Sequence, residues 1–477
     1  MDANLVIPEL LLTVLVFLVF ALDLFLPREQ KHVLGYLSAA CLLLVGVVAA
    51  LQTGLGDLYG GLYRVDTYTH FFRIFFPLTS FFIIILSLDY VRQRLQYAGE
   101  YYGLLMMATL AMMLMAGAGE LITAYVSLEL LNFCLYVLAS YARNDPKSNE
   151  AGLKYIILSA LASALLLYGL TYIYGITGST TYAGIAQALA SHEMTGSPGL
   201  LIGLVLVTAG LGFKVAAVPF HMWTPDVYEG APTPITAFIA VASKAAGFAL
   251  LLRMFSTAFL PAAENWQPLF VILAALTMTL GNLVAIQQRN IKRLLAYSSI
   301  SQVGYVLMGV AAISQFSASA IIFHLVGYAV TNLAAFLAVI VYQNLTGQEE
   351  IEQYAGAAQR APFVAFGLTV AFFSLAGMPL FAGFTTKFYL FTAVASQGYL
   401  WLVALAITNS LISLYYYLKV VRQMYVSAPP EPLRLTVPGL ATGTLAVLVV
   451  LVFLVGIYPA PLVALINVAT RVLPLPL

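Results

Sequence analysis

Apolar runs long enough to form membrane-spanning helices, about 20 residues each, recur along almost the whole chain, and short polar segments separate them. A membrane β-barrel would alternate apolar and polar residues over shorter segments, which these runs do not do. The pattern therefore predicts an all-α polytopic membrane protein with fourteen transmembrane spans. The predicted spans lie near 4–26, 33–54, 69–91, 101–118, 119–141, 149–176, 199–218, 234–257, 266–288, 294–313, 316–341, 361–396, 399–418 and 436–468.

Basic residues at the ends of the spans predict the orientation of the chain. Residues 1–10 contain no Lys or Arg, so the first run is interpreted as a retained span and not as a cleaved signal peptide. Four of the 21 Lys and Arg residues fall inside spans. Of the other 17, thirteen lie in alternate connections, which the positive-inside rule places in the cytoplasm, with both termini outside. The thirteen are Arg28, Lys31, Arg92, Arg94, Arg143, Lys147, Arg289, Lys292, Arg293, Arg360, Lys419, Arg422 and Arg434. The remaining four are Arg64, Arg73, Arg253 and Arg471.

The composition agrees with this pattern and excludes several classes of function. Hydrophobic residues make up 62% of the 477 positions and charged residues 9%, and the mean hydropathy is +0.94. A net charge of +1 without a basic run argues against nucleic acid as a partner. Cys41 and Cys134 lie inside apolar runs without metal-ligand spacing, so no disulfide framework, iron–sulfur site or haem attachment is indicated. The longest connections, around 177–198 and 342–360, are too short to fold as a catalytic domain. The chemistry is therefore expected inside the bilayer.

Three titratable side chains are predicted near the middle of the bilayer. A rise of about 1.5 Å per residue places Glu129 in span five, Lys244 in span eight and His324 in span eleven near the midplane. A Lys or an acid at that depth costs about 2.5 to 3.5 kcal/mol on insertion scales, so such residues usually face a polar interior and serve a pathway. These three residues are therefore candidates for function.

Two spans contain helix-breaking sequences beside a lysine. Lys214 lies late in span seven, just before Pro219, and Lys387 follows a second break at 377–379 and Gly383 in span twelve. Proline removes a backbone donor, so a break at membrane depth is tolerated only inside protein or beside water. Breaks in corresponding halves of a transporter usually mark the conduction site. The alternative is a kink that serves only helix packing.

Polar residues at helical spacing share faces with several of the charged ones. They could be hydrogen-bonded contacts between packed helices, and the charged members could form a structural ion pair such as Glu129 with Lys214. An ion pair does not account for the whole set, because four lysines inside the spans face one mid-membrane acid. Some of these lysines must then lose their proton part of the time, which makes them a possible relay. The polar faces are Tyr125, Glu129, Asn132 and Tyr136 in span five, Ser298, Ser301, Gln302 and Tyr305 in span ten, and His324, Tyr328, Thr331 and Asn332 in span eleven.

The segment PFHMWTPDVYEGAPTP (219–234) resembles the antiporter-like proton-pumping subunits of respiratory complex I. The likeness covers nearly the entire chain and is greatest to the subunit N family of bacterial NADH:quinone oxidoreductases, which is homologous to mitochondrial subunit 2. Sister subunits and Mrp-type Na⁺/H⁺ antiporters resemble this loop less closely. Supporting stretches are NEAGLKYIILSALASALLLYG (149–169), QRNIKRLLAYSSISQVGYVLMG (288–309) and AGMPLFAGFTTKFYLF (376–391).

The resemblance implies a fold of fourteen helices, with spans 4–8 and 9–13 as inverted repeats that each contain one broken helix. The predicted units are residues 1–100 with helices 1–3, 101–257 with the first repeat, 258–425 with the second repeat, and 426–477 with the C-terminal helix.

The resemblance also places the family's proton-relay residues on positions of this chain. Sister subunits can carry a glutamate at the last of these positions, and Lys387 is what the subunit N family has there. Lys154 and His221 match further family residues and are secondary candidates, and His324 is a third, proposed from its depth and its polar face. The four relay residues are Glu129 in span five, Lys214 in span seven, Lys244 in span eight and Lys387 in span twelve.

The function implied by the resemblance is proton translocation within an NADH (or ferredoxin):quinone oxidoreductase. NAD, FMN, iron–sulfur clusters and quinone are expected in partner subunits, and no cofactor is expected in this chain. Sister membrane subunits and the lipids of the cell's inner (plasma) membrane are the expected neighbours. Two alternatives stay open: an Mrp-type cation/proton antiporter subunit that acts without redox partners, and a scaffold subunit whose charges only lock helices together.

Overall fold

The computed structural model of the chain describes residues 3–190, 195–429 and 433–476. Within these ranges thirteen helices are long and apolar enough to cross a membrane, which confirms an all-α polytopic membrane protein. A short antiparallel hairpin, β1 (Gly56–Leu58) and β2 (Tyr63–Val65), precedes the third helix. The helices are α1 (Ile7–Phe25), α2 (Val33–Leu51), α3 (Thr67–Arg94), α4 (Ala98–Gly117), α5 (Leu121–Ala139), α6 (Pro146–Thr177), α7 (Tyr182–Leu189), α8 (Pro198–Val215), α9 (Trp223–Gly230), α10 (Thr233–Thr257), α11 (Ala263–Ala285), α12 (Ile291–Ala311), α13 (Gln315–Thr346), α14 (Ala357–Arg360), α15 (Pro362–Ala376), α16 (Ala382–Ser396), α17 (Leu400–Tyr425), α18 (Gly439–Ile457) and α19 (Ala460–Thr470). Short 3₁₀ helices lie at Ala3–Val6, Arg28–Gln30, Leu260–Ala262 and Ile351–Tyr354.

Twelve of the fourteen predicted spans coincide, within a few residues, with single long helices. The span predicted at 361–396 is two helices, α15 and α16, as its break sequence indicated. The span predicted at 436–468 is also divided, because α18 ends before Tyr458 and α19 follows Pro459. Tyr458 precedes Pro459, and the helical conformation is disfavoured for a residue before proline because of a steric clash with the proline ring. The connection predicted at 177–198 holds the short helix α7, and its residues 191–194 lie outside the described part of the chain.

Three helices form the buried centre of the bundle. In the most apolar 18-residue stretch of each helix, all residues of α10 are buried, as are 94% of those of α12 and 89% of those of α13. The same stretches of α1, α6, α17 and α18 are only 28 to 33% buried, so these helices present apolar side chains to their surroundings. A helix that is apolar on all sides is stable only when it is surrounded by protein or lipid. Polar side chains on α10, α12 and α13 are therefore enclosed by protein.

Glycines allow α11 and α12 to pack closely. A Cβ atom on Gly304 would lie 2.4 Å from the backbone nitrogen of Met278, and one on Gly281 would lie 2.7 Å from the backbone nitrogen of Ser301. Each helix thus places a glycine against the backbone of the other. Small residues at such contacts are the usual way in which membrane helices come close enough for strong van der Waals packing.

Both described ends of the chain lie at one end of the bundle. The side chain of Gln52 donates to the carbonyl of Asn4 at 2.5 Å, near the start of α1. The hydroxyl of Thr67, at the start of α3, donates to the carbonyl of Val468 in α19 at 3.1 Å. This arrangement agrees with an even number of crossings. That this end faces the outside stays a prediction from the positive-inside rule.

Three of the four basic residues that depart from the predicted charge pattern form ion pairs. Because each positive charge has an acidic partner, it contributes little to the charge asymmetry that orients the chain. The pairs are Arg64 with Asp57 at 3.0 Å, Arg73 with Glu9 at 2.6 Å, and Arg253 with Asp66 at 2.7 Å.

Candidate functional site

The first broken helix ends one residue after Lys214. Helix α8 stops at Val215, and Ala216 adopts the left-handed conformation with φ +65°. The backbone N–H of Ala217 then donates to the carbonyl of Gly212 at 2.8 Å, which closes the end of the helix. The sequence placed this break at Pro219, whereas the helix ends four residues earlier. The left-handed residue, and not the proline, therefore terminates α8.

The second broken helix has its break where the sequence predicted it. Helix α15 ends at Ala376, and Gly377 follows with φ +86°, a conformation that glycine adopts without steric cost. Helix α16 starts after the segment 378–381. A Cβ atom on Gly383 would lie 1.7 Å from the carbonyl oxygen of Ser374, so only glycine lets the two half-helices approach this closely.

Lys214 is linked to Glu129 through an intervening amide. The Lys214 ammonium, on α8, donates to Oδ1 of Asn132 on α5 at 2.8 Å. The Nδ2 of Asn132 donates in turn to Oε1 of Glu129 at 3.0 Å. The two predicted partners therefore belong to one hydrogen-bonded group, but the direct ion pair considered from the sequence is replaced by an asparagine bridge.

Lys244 lies on the buried centre of the bundle beside a cluster of hydroxyl groups. Its Nζ donates a short hydrogen bond to the hydroxyl of Ser299 on α12. The same hydroxyl accepts from Tyr328 on α13 at 2.8 Å and lies 3.4 Å from the hydroxyl of Tyr228. The helix takes a π-helical turn over Ile239–Ser243, immediately before the lysine. Such turns are rare and often occur at functional sites.

Lys387 binds the carbonyl end of the first half-helix at the second break. Its Nζ donates to the carbonyl of Leu375 at 2.8 Å and to the hydroxyl of Ser410 at 3.0 Å, and it lies 4.8 Å from the centre of the Tyr305 ring. The carbonyl end of a helix carries a partial negative charge, and the face of an aromatic ring attracts cations. All of these partners are neutral groups.

His324 lies between Lys244 and Lys387. Its Nδ1 is 3.2 Å from the hydroxyl of Thr386 on α16, next to Lys387. One small cavity is lined by His324, Lys244 and Ser299, and a second by His324, Thr386 and Lys387. Each cavity offers about 10 Å³ to the centre of a water molecule, which is close to the smallest size that holds one. His324, which was proposed from its depth and its polar face, thus lines a cavity beside each of the two lysines.

Lys154 lies apart from the other lysines. Its Nζ is 2.7 Å from Asp226 on α9 and 2.7 Å from Glu150, and its side chain is 41% exposed. Arg293 contacts the same aspartate at 2.8 Å. Burial acts to raise the pKa of Asp226, but the hydrogen bonds from Lys154 and Arg293 hold that pKa below its usual value. This cluster is an ion-paired contact that joins α6, α9 and α12. The sequence predicted Lys154 inside a span with the other three lysines, whereas its side chain is partly exposed.

His221 lies in the segment that joins α8 to α9. Its side chain is buried, and its Nδ1 has no hydrogen-bond partner among the described residues. The neighbouring Trp223 holds the segment in place, because its indole N–H donates to the carbonyl of Phe213 at 3.0 Å and its ring stacks on Tyr155 at 4.6 Å. The structure therefore places His221 inside the protein at the first break.

Three lysines are buried without an acidic partner. Lys214, Lys244 and Lys387 are 3%, 2% and 4% exposed. Within the described ranges no carboxylate oxygen lies within 4.0 Å of their Nζ atoms, although other Lys and Arg residues of the chain do form such pairs. An unpaired buried ammonium is costly. These three residues are therefore not structural ion pairs.

Two hydrogen-bond partners of the lysines were missed in the sequence. Ser299 neighbours Ser298, which was assigned to the polar face of span ten, and a helix turns about 100° between adjacent residues. Ser410 lies in the span predicted at 399–418, which contains no charged residue. A search for hydroxyl residues at membrane depth would have found both.

Metal-ligating side chains do not cluster in the described part of the chain. No group of three or more His, Cys, Asp or Glu residues there could hold a metal ion. Both Cys41 and Cys134 are free and buried.

Comparison with known proteins assigns this arrangement to a family. Residues 118–413 match the NADH:quinone oxidoreductase/Mrp antiporter transmembrane family. A protein of Moorella thermoacetica named NADH-quinone oxidoreductase subunit N is 44% identical over 467 residues, which is 97% of this chain and 97% of that protein. The chain belongs to this family. This chain is also similar to the NAD(P)H-quinone oxidoreductase subunit 2 of Nostoc punctiforme, with 39% identity over 98% of this chain and 90% of that protein. The resemblance stated from the sequence is thereby confirmed.

Chains of several solved membrane complexes share the fold. A chain of respiratory complex I from Thermus thermophilus is 30% identical, with a TM-score of 0.80 over 96% of this chain and 99% of that chain. A chain of an archaeal membrane-bound sulfane sulfur reductase is 25% identical, with a TM-score of 0.87 over 98% of this chain and 97% of that one. A chain of the Mrp complex from Dietzia has a TM-score of 0.85 at 21% identity, over 99% of this chain and 98% of that one, a likeness of fold alone.

Proposed function

We propose that this chain is a proton-translocating membrane subunit of an NADH (or ferredoxin):quinone oxidoreductase. The observation that carries the proposal is the set of three buried lysines bound only by neutral groups. An ammonium ion that has no carboxylate in direct contact exchanges its proton more readily than a directly paired one. The relatives named subunit N support the assignment to this complex.

The proposed route begins at Glu129 and Lys214 and continues through Lys244 and His324 to Lys387. The carboxylate of Glu129 favours a protonated Lys214 through the Asn132 bridge. A neutral imidazole accepts a proton at one ring nitrogen and releases one from the other, so His324 is suited to carry protons between the two later lysines.

The hydrogen-bond partners support different roles for the later lysines. The Ser299 hydroxyl both accepts and donates, so it can exchange a proton with Lys244. Lys387 donates to the carbonyl of Leu375 and to the hydroxyl of Ser410. The hydrogen of that hydroxyl is itself donated to the carbonyl of Ala376. Both partners of Lys387 therefore act as acceptors, and their partial negative charges stabilise its ammonium form. A proton waits at Lys387 before its release to the outside.

Redox chemistry is assigned to other subunits of the complex. NAD, FMN, iron–sulfur clusters and quinone would be bound there. The exposed apolar side chains of α1, α6, α17 and α18 would contact lipid and sister subunits in the inner (plasma) membrane, with both termini outside. The units 101–257 and 258–425, each with one broken helix, would be the two inverted repeats.

Copurification separates the proposed pump from an antiporter. The tagged chain is isolated from its native membranes in mild detergent, and bound flavin and iron–sulfur clusters are measured by absorbance and electron paramagnetic resonance. We expect both to copurify, and we expect NADH or reduced ferredoxin to drive proton uptake when the complex is reconstituted in vesicles. Isolation without redox subunits, together with Na⁺-driven proton exchange, would instead favour the Mrp-type antiporter.

A further inference from the structure

Gln302 contacts the same carbonyl group as Lys387. It lies on α12, is 3% exposed, and donates through Nε2 to the carbonyl of Leu375 at 3.1 Å. Lys387 donates to that carbonyl at 2.8 Å. The break after α15 leaves this oxygen free to accept both hydrogen bonds, because it has two lone pairs and no helical partner further along the chain.

The other end of the Gln302 amide has no partner. Its Oε1 is buried and accepts no hydrogen bond from the described residues, and the Nε2 of His324 is likewise buried and unpartnered. A buried polar atom without a partner is costly, so such atoms are usually satisfied by protein or by ordered water. Two such atoms on residues that line the same cavities can share one partner.

Both residues line both of the small cavities. Gln302 and His324 border the cavity beside Lys244 and also the cavity beside Lys387. Each cavity has room for about one water molecule. A single water between the Gln302 oxygen and the unpartnered histidine nitrogen would satisfy both atoms.

We propose that Gln302 is a positioning residue that holds one ordered water against Nε2 of His324 and thereby joins the Lys244 and Lys387 segments. This inference rests on the proposed function. The hydrogen bond from Gln302 Nε2 to the carbonyl of Leu375 fixes the orientation of the amide. The Oε1 atom is then free to accept a hydrogen bond from the water. The water then accepts a hydrogen bond from a protonated imidazole or donates one to a neutral imidazole.

The Gln302 amide itself does not ionise. A proton from the Lys244 ammonium goes to the water, and the water gives one of its own hydrogens to Nε2 of the neutral imidazole. His324 then releases its Nδ1 proton toward Thr386 and Lys387.

Two substitutions at Gln302 separate this role from a structural one. Gln302→Met keeps the length of the side chain but removes both polar atoms, and its apolar tip fills the space that the water needs. Gln302→Ala removes the same hydrogen bonds but leaves room for additional water. If the side chain only stabilises the break through Leu375, alanine should be as harmful as methionine or more so, because it also loses packing. If the side chain serves a water path, alanine should be the less harmful of the two.

The experiment measures protons pumped per electron by the whole complex in vesicles, with subunit content checked beside it. We expect Gln302→Met to lower this ratio and Gln302→Ala to retain more of it. The control is Gln343→Met, which removes a buried glutamine that contacts Thr233 and Glu349 away from this path, and it should pump normally. Wild-type pumping by Gln302→Met, or a lower ratio for alanine than for methionine, would overturn the inference.

A structural measurement covers the case in which Gln302→Met does not assemble. A cryo-EM map of the wild-type complex that resolves water should show one density between Gln302 and His324, and a map with no such density would also overturn the inference. Failure of the proposed function is distinguished by Lys387→Arg in the same vesicles. Normal pumping by Lys387→Arg would contradict the proposed proton relay. Normal pumping by Gln302→Met alone would contradict only the proposed water bridge.

Discussion

At the scale of single residues, the important feature is the kind of partner that each buried cation has. Arg73 and Arg253 have carboxylates within 3 Å, as structural cations in a low-dielectric interior require. Lys214, Lys244 and Lys387 have only amide, hydroxyl and carbonyl partners. Arginine stays protonated at any relevant pH, whereas a buried lysine can lose its proton. The two buried arginines therefore carry fixed, paired charges, and under the proposed function the three unpaired lysines are the residues whose charge changes.

The bridge between Glu129 and Lys214 gives the first prediction. Glu129→Gln can preserve the hydrogen bond to Asn132 but removes the negative charge that favours a protonated Lys214. We expect reduced proton pumping in vesicles while the subunit content of the complex stays normal. The control is Glu264→Gln, which neutralises an exposed carboxylate in the first turn of α11. If both variants pump like the wild type, Glu129 does not belong to the pathway.

The sequence could predict the charged members of the site better than their partners. Depth in a span identified Glu129, Lys244 and His324, because a titratable residue in an apolar run stands out. Whether a lysine is paired depends on a distant helix, so the exposed pairing of Lys154 with Asp226 could not be read from the chain. Neutral partners such as Ser299 are harder to single out, because hydroxyl residues at membrane depth also occur at ordinary contacts between packed helices.

At the scale of helices, apolar length predicted most boundaries and proline predicted only some breaks. Helix α15 ends where Gly377 and Pro379 indicated. Helix α8 ends at Val215, before Ala216, which is an L-residue in the left-handed region that no sequence rule would select there. The π-helical turn before Lys244 also has no sequence signature, because its residues IAVAS are ordinary apolar and small residues. Tertiary packing, and not local preference, sets these two features.

The close contact between α11 and α12 gives a prediction about stability. Gly304→Ala places a methyl group 2.4 Å from a backbone nitrogen, so the two helices must separate. Overpacking of this kind typically costs about 1 to 3 kcal/mol. We expect a lower midpoint for thermal unfolding of the purified complex in detergent. The matched variant Gly46→Ala, where no atom lies within 4 Å of the new methyl group, should not lower it. Equal midpoints for the two variants would show that the contact is not tight.

At the scale of the whole molecule, the polar groups lie in the most buried part of an otherwise apolar bundle. Helices α10, α12 and α13 carry Lys244, Ser299 and His324 and are almost entirely buried, whereas the outer helices expose apolar side chains. The connections within the described part of the chain are short. Under the proposed function, energy for translocation reaches this chain from neighbouring subunits, and the titratable groups inside it change protonation during turnover.

Proton pumping by Lys387→Arg tests this central claim most directly. Arginine keeps the positive charge beside Leu375 and Ser410 but cannot release its proton. The control is Lys419→Arg, a substitution at an exposed position of α17. The measurement is the number of protons pumped per electron by the reconstituted complex, beside its rate of quinone reduction. The account predicts a lower ratio for Lys387→Arg with normal assembly, and an unchanged ratio for Lys419→Arg. An unchanged ratio for Lys387→Arg would contradict it, because a permanently charged residue would then be serving where a proton carrier is required.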